Sequence, residues 1–194
     1  MKALEQAIFD WGKGIGEEIV KVDMFLNHRI DVALATKMGE AFHRAFADMP
    51  VDIVLTIEAS GIATAITTAQ AFGNVPVVFA KKSKTSNSDN DAYTSRVYSF
   101  THHKENIIRV CKDYLPSGKN VLIVDDFLAN GEAVEGLIDI IKQADCTLSG
   151  VGICIEKGFQ PGGVRLREKG IQVVSLAIVD AIEDGKIRLR RNDD

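Results

Sequence analysis

The stretch VLIVDDFLANGEA, residues 121–133, decides how this chain is read. Four apolar residues run into two adjacent acids, Asp125 and Asp126, and then into a short loop with Gly131. A helical pattern follows, EAVEGLIDIIKQA (132–144), in which Ala133, Leu137, Ile138 and Ile141 share one face. A strand that is apolar at every position is buried on both sides, as in a parallel sheet covered by helices. In such sheets ligands bind beyond the carboxyl ends of the strands, which is where the two acids must lie. The loop 127–131 delivers backbone N–H groups at a helix N-terminus, a site suited to anions. Carboxylates beside an anion site fit a ligand that carries both hydroxyls and a phosphate, as a sugar phosphate does. A bare pair of acids would more simply cap a strand; it is the whole succession of strand, acids, loop, glycine and helix that points to a ligand. The run has neither the GxxxxGKS/T of a Walker loop nor a Rossmann fingerprint.

Outward from this stretch, the periodicity keeps switching between helix and strand. Upstream, Leu34, Met38, Ala41, Phe42 and Ala45 form a helical stripe over 31–49, with Asp31 placed to cap its first turn. DIVLTIE (52–58) reads as a buried strand, GIATAITTAQAFG (61–73) as a helix and PVVFA (76–80) as a strand. Downstream, TLSGVGICIE (147–156) and IQVVSLAIV (171–179) are again β-rich. The fold class expected is α/β, an open and mainly parallel sheet flanked by helices. The core is expected over about 31–155, with residues 1–30 and 156–194 forming a small cap, or hood, and the whole of 1–194 making one domain. The polar stretch 81–96, KKSKTSNSDNDAYTSR, lacks apolar periodicity and reads as a long loop, functional or disordered.

Composition narrows the function classes. The 194 residues are 46% hydrophobic and 26% charged, with mean hydropathy +0.03, enough apolar content to bury a core and exclude a disordered chain. The net charge of −4 gives no basic footprint for nucleic acid. No apolar run approaches the ~18–20 residues of a membrane helix, and MKALEQAIFDWGKG does not read as a secretory signal. Cys111, Cys146 and Cys154, odd in number and without CxxC spacing, read as reduced thiols of a cytoplasmic protein.

VLIVDDFLANGEA resembles the phosphoribosyl-diphosphate (PRPP) signature of the type I phosphoribosyltransferases. It departs from that signature at Asn130, where the family usually has Thr or Ser, and at Ala133, where it has Thr. Together with KVDMFLNH (21–28) and CIEKGFQPG (154–162), it is most similar to the bacterial xanthine phosphoribosyltransferases. The resemblance implies that Asp125 and Asp126 are the catalytic acids, holding the ribose hydroxyls. It implies that Ala129, Asn130, Gly131, Glu132 and Ala133 bind the 5′-phosphate. EASG (58–61), through Ser60 and Gly61, matches the pyrophosphate loop, and Lys81 and Lys82 match the basic residues that meet pyrophosphate. The polar stretch after them resembles a mobile loop that closes over PRPP and keeps an activated sugar from water. In the cap, Val20, Asn27 and Lys157 match purine contacts, and Phe159 is placed to cover the ring.

Xanthine presents carbonyls at C2 and C6, so its pocket needs donors. Asn27 offers an NH₂ to the 2-oxo group, with an amide free to rotate, and the resemblance places Lys157, or its backbone, near the 6-oxo/N7 edge. The implied reaction transfers 5-phosphoribose from PRPP to N9 of xanthine through an oxocarbenium-like transition state. Mg²⁺ is the implied cofactor, held mainly by PRPP oxygens with no direct protein ligand. A homodimer is implied as well, with no nucleic-acid or membrane partner. Two alternatives use the same core motif. One is a guanine/hypoxanthine or adenine phosphoribosyltransferase. The other is a PRPP-sensing purine regulator, which would need an added basic DNA-binding segment; nothing before residue 50 has that length or charge.

Overall fold

A computed structural model of the chain describes residues 1–82, 91–99 and 104–190. Its central sheet is built on β7 (Asn120–Leu128), flanked by β3 (Ile53–Ile57) and β8 (Thr147–Lys157). Outside these lie β4 (Val77–Ala80) on one side, and β9 (Val173–Glu183) then β10 (Lys186–Leu189) on the other. The five strands from β4 to β9 run parallel, and β10 turns back antiparallel on β9. Pleat alternation explains why the inner strands are apolar throughout. Leu122, Val124 and Val54 enter one core, shared with α1 (Lys2–Trp11), α2 (Val32–Ala45) and α3 (Ile62–Ala71). Val121, Ile123 and Leu55 enter the other, shared with α4 (Glu132–Gln143).

The expected elements at 31–49, 52–58, 61–73, 76–80 and 120–144 are all present, with shifted ends. Asp31 caps α2 by accepting from the Leu34 N–H at 3.0 Å. The stripe of α2 closes on Phe46, fully buried, while Ala45 is exposed. In α4 the buried set is wider than one face, because β5 (Ala92–Ser99) and β6 (Lys104–Cys111) form an antiparallel ribbon over it. Val97 and Ile108 of that ribbon close on Gly136, where a side chain would collide with them.

The ribbon corrects the reading of 81–96 as loop. Residues 92–96 are strand, with Arg96 registered on Ile107 and Thr94 on Arg109. Polar residues alternate there with Tyr93 and Val97, a half-buried period that the surrounding Ser and Asn obscured. Of the expected mobile loop, residues 83–90 lie outside the described residues. The sheet also extends past the expected core boundary at 155, since β8 continues to Lys157 and β9 joins it in parallel. β9 carries the β-branched run that continues a parallel sheet. The N-terminal elements lie along that far edge. β1 (Lys13–Ile15) pairs with β2 (Ile19–Lys21), the Gly14 N–H donates to the Gly185 carbonyl at 3.1 Å, and Leu4 and Ile8 of α1 share a core with Val179 and Ile187. Among the described residues, no helix is long and apolar enough to cross a membrane.

α2 and α3 cross closely at Gly39, where a Cβ would overlap the Thr67 carbonyl while the Thr67 hydroxyl donates to Ala35 O at 2.8 Å. Gly39→Ala should therefore destabilise the protein despite the ~1 kcal/mol that alanine gains in helix propensity. Overpacking costs about 1–3 kcal/mol, and a lower urea midpoint at unchanged m-value would show that it prevails.

Candidate active site

Four chain segments meet at the carboxyl edge of the sheet: the turn after β3, the residues after β4, the end of β7 and the end of β8. In β7 the pleat alternation breaks across the acids. Leu122 and Val124 face the α1–α3 side, yet it is Phe127 that returns to that side and Leu128 that faces α4. The Asp126 N–H donates to its neighbour's Asp125 Oδ1 at 3.0 Å. Both acids are nearly buried, Asp125 3% and Asp126 6% exposed. Burial first, and then the charge of Asp126, push the Asp125 carboxyl well above the ordinary carboxylate range; the Asp126 N–H and the charge of Lys82 pull it part of the way back.

The EASG segment passes directly over Asp125. A Cβ on Gly61 would lie 2.6 Å from Asp125 Oδ1 and overlap the buried Thr56 hydroxyl, so only glycine allows the turn this approach. The Glu58–Ala59 peptide bond there is cis. The Lys82 N–H donates to Glu58 Oε1 at 2.6 Å, and Lys81 exchanges backbone hydrogen bonds with Arg109 of β6. Ser60 and Gly61 thus sit in the turn against Asp125, and Lys82, with Lys81 before it, is tied to that turn through Glu58. Glu58 and Arg109 were not singled out in the sequence; Arg109 stands in the apolar run Ile107, Ile108 and Val110 of β6, and only its pairing with Lys81 brings it to the site.

The loop after β7 is shorter than 127–131, because the strand runs through Leu128. Ala129, Asn130 and Gly131 make the turn, and Glu132 and Ala133 begin α4. Gly131 has φ +93°, a conformation that favours glycine, and residues 127–134 line a concavity of about 100 Å³. The first amides of α4 have no partner within their own helix and are available to an anion.

The N-terminal segment reaches the same edge. Residues Asp23–Asn27 form a single π turn with Phe25 and Leu26 buried, and Asn27 projects from its end. Asn27 Nδ2 donates to Asp126 Oδ2 at 3.3 Å, across 99 positions of sequence. Lys157 Nζ donates to the Glu18 carbonyl at 2.8 Å, which brings it beside the strand of Val20, itself 8% exposed. Burial lowers the Lys157 pKa and the charge of Glu18 partly restores it. Phe159, expected to cover the base, is 37% exposed in the turn after β8. Cys154 lies under the acids with its thiol on the Thr64 hydroxyl, at 3.5 Å. Burial, and then the fields of both acids, push its pKa far up, so it offers no thiolate nucleophile.

The arrangement can grip a phosphate at the α4 turn, a second anion at the EASG turn and the lysines, and hydroxyls between them at the acids. The phosphoribosyl transferase domain matches residues 21–175. The xanthine phosphoribosyltransferase of Ruminiclostridium cellulolyticum is 54% identical over 96% of this chain and 98% of its own. That of Clostridioides difficile is 51% identical over 98% and 100%. Among solved structures, the adenine phosphoribosyltransferases of Saccharomyces cerevisiae and Rhodothermus marinus superpose with TM-scores of 0.74 and 0.73 at 22% and 18% identity. They cover 91% and 92% of this chain and 99% of each of theirs, a likeness of fold.

Proposed function

This chain belongs to the phosphoribosyltransferase family, and from that premise we propose that it is a purine-salvage enzyme moving 5-phosphoribose from PRPP to N9 of xanthine, releasing xanthosine 5′-monophosphate and pyrophosphate. The choice of base is carried by relatives of that activity at about half identity over nearly the whole chain. The reaction itself is supported by the convergence of the Asp125–Asp126 pair with the α4 turn, the EASG turn and Asn27.

In this reading the α4 amides and Asn130 hold the 5′-phosphate. The EASG turn with Lys81 and Lys82 receives the departing pyrophosphate. The acids accept from the ribose hydroxyls and, by their charge, favour the cationic sugar of the transition state. No protein nucleophile is required; the fold's contribution is to place N9 against C1′ and to hold the leaving group. A divalent cation fits this site, since two buried carboxylates whose charges oppose one another leave a field that a cation arriving on PRPP would relieve. Mg²⁺ held mainly by substrate oxygens would supply charge neutralisation for the leaving pyrophosphate. A cytoplasmic homodimer belongs to the same proposal, and light scattering checks the dimer.

The test is PRPP-dependent nucleotide formation with xanthine, guanine, hypoxanthine and adenine in parallel. Xanthine is expected to have the highest kcat/KM. A preference for adenine or for guanine and hypoxanthine would move the enzyme within its family, and no turnover with any base would return it to a PRPP-binding regulator.

A further inference from the structure

Glu156, the residue before Lys157, is a buried acid for which the reaction above has no use. It is 2% exposed at the carboxyl end of β8 and it is fully engaged. Arg167 of α5 (Gly162–Glu168) grips it with both terminal nitrogens, Nη1 to Oε1 at 2.8 Å and Nη2 to Oε2 at 2.7 Å. The Ser175 hydroxyl of β9 donates to Oε2 at 2.5 Å. The Gly163 backbone passes directly over the carboxylate, and a Cβ there would overlap Oε1 and lie 2.7 Å from Arg167 Nη1. A bidentate guanidinium pair fixes orientation as well as distance, so α5 is locked to the two strands beneath it.

The other contacts of this short helix lead to the phosphate turn. Immediately before Gly163, the Gly162 N–H donates to the Ala129 carbonyl at 3.1 Å, and a Cβ on Gly162 would lie 2.7 Å from the carbonyl carbon of Asn130. Arg165 Nη2 and Lys169 Nζ both reach Glu135 Oε1 of α4, at 2.9 and 2.7 Å, one turn beyond Gly131. One side of α5 therefore holds Glu156 and, through the next peptide bond, Lys157. The other side braces Ala129, Asn130 and Gly131. The intervening residues are tied as well, with the Gly158 N–H on Val179 O and the Gln160 N–H on Lys157 O.

We propose that the Glu156–Arg167–Ser175 clamp is a positioning device that sets the base-facing end of β8 and the 5′-phosphate turn in one fixed relation through α5. None of the three residues touches a reacting atom. Glu156 acts through Lys157, and Arg167 acts through Gly162 on the turn at 129–131. The inference rests on the reading of these two segments as the base and phosphate subsites. Loosening the clamp widens the distribution of distances between the subsites, so both substrates lose affinity together while the chemical step, once both are seated, changes little.

The experiment compares wild type with Glu156→Gln, Arg167→Lys and Ser175→Ala, measuring kcat and both KM values with PRPP and xanthine, alongside Tm. Ser175→Ala removes one donor and leaves the ion pair, so it keeps a folded sample in the series if the others fail. For Glu156→Gln and Arg167→Lys, KM should rise about 5- to 30-fold for both substrates, with kcat within about 3-fold of wild type; Ser175→Ala should raise both about 2- to 3-fold. Unchanged KM values beside a lowered Tm would make the clamp a purely structural ion pair and overturn the proposal. A rise for one substrate alone would remove the coupling, and a loss confined to kcat would contradict the positioning role. The wild-type base panel keeps the two ideas separate. If wild type prefers another purine, the same comparison is made with that base. If wild type turns over none, the functional reading fails, and calorimetric titration of xanthosine 5′-monophosphate into wild type and Ser175→Ala still reads the clamp, equal Kd values overturning it.

Discussion

Asp125→Asn should yield a protein that is harder to unfold than wild type and much slower. The wild-type carboxyl is buried against Asp126, and its folded-state pKa is raised. An acid whose folded-state pKa is raised costs stability that grows as pH rises from the unfolded value of about 3.9 through the folded one, and the cost disappears below the unfolded value, where both states are protonated. The amide removes that cost while keeping Oδ1 as acceptor for the Asp126 N–H. A gain of about 0.5–2 kcal/mol is expected near pH 7, shrinking toward zero in acid, as at other sites where function strains the fold. Turnover should fall by about 10- to 150-fold, the worth of one charge-assisted contact of about 1.5–3 kcal/mol to a ribose hydroxyl. Asp126→Asn should show a similar loss of activity, and it also reduces the charged acceptor that holds Asn27 to a neutral amide oxygen. Urea titrations at pH 7 and pH 4 beside steady-state rates decide the matter. A folded Asp125→Asn with near-normal rates would reduce the acid pair to a strand cap.

Base choice should turn on Asn27, and more sharply than the sequence suggested. An isolated asparagine could rotate its amide and accept from the 2-amino group of guanine. Here Nδ2 already donates to Asp126 Oδ2, so rotation would set two oxygens against each other. In the proposed pocket the second N–H of that NH₂ would then be held as a donor toward the 2-oxo group of xanthine. Guanine would face it donor to donor, at about 1–3 kcal/mol, or roughly 5- to 150-fold in kcat/KM. Asn27→Asp turns the same position into an acceptor. It also brings a third carboxyl to the acid pair, so absolute rates should fall with every base. The ratio of xanthine to guanine should nevertheless collapse, while hypoxanthine, with only hydrogen at C2, gains from neither side chain. An unchanged ratio in Asn27→Asp would take residue 27 out of the pocket.

The parts of the site that lie next to one another in sequence were legible in it. VLIVDDFLANGEA specifies its strand, its acids and its helix through local patterns, and EASG and Lys81–Lys82 sit at strand ends that hydrophobic runs announce. Where reading failed, the burial was supplied by distant chain. The ribbon strand at 92–99 looks like polar loop because its apolar side is only Tyr93 and Val97, and it becomes strand by lying on α4. β9 reads as part of a cap because nothing local says that it pairs with β8 instead. Glu156 is similar. An acid ending an apolar run could have been marked as buried, but its partners Arg167 and Ser175 are set by the path of α5 and β9. The hydrogen bond that fixes the Asn27 amide spans 99 positions, and no local periodicity encodes it.

The strand order has a consequence for how the molecule is made. β7 and β8 are joined by one helix, and β8 and β9 by another, so residues 120–183 can zip together through short closures. β3 must instead find β7 across a separation of 68 positions, and the Glu18 carbonyl meets Lys157 across 139. Closure entropy rises with the logarithm of the loop, and contacts between distant residues slow the approach to the native state. On the ribosome the order is harsher still. The hairpin 13–21 is synthesised well before β9 and β10, against which it lies. The apolar faces of α1 and that hairpin must therefore wait, exposed, until β9 and β10 have been made. The half of the molecule that carries the α4 turn can be native well before the half that carries Asn27.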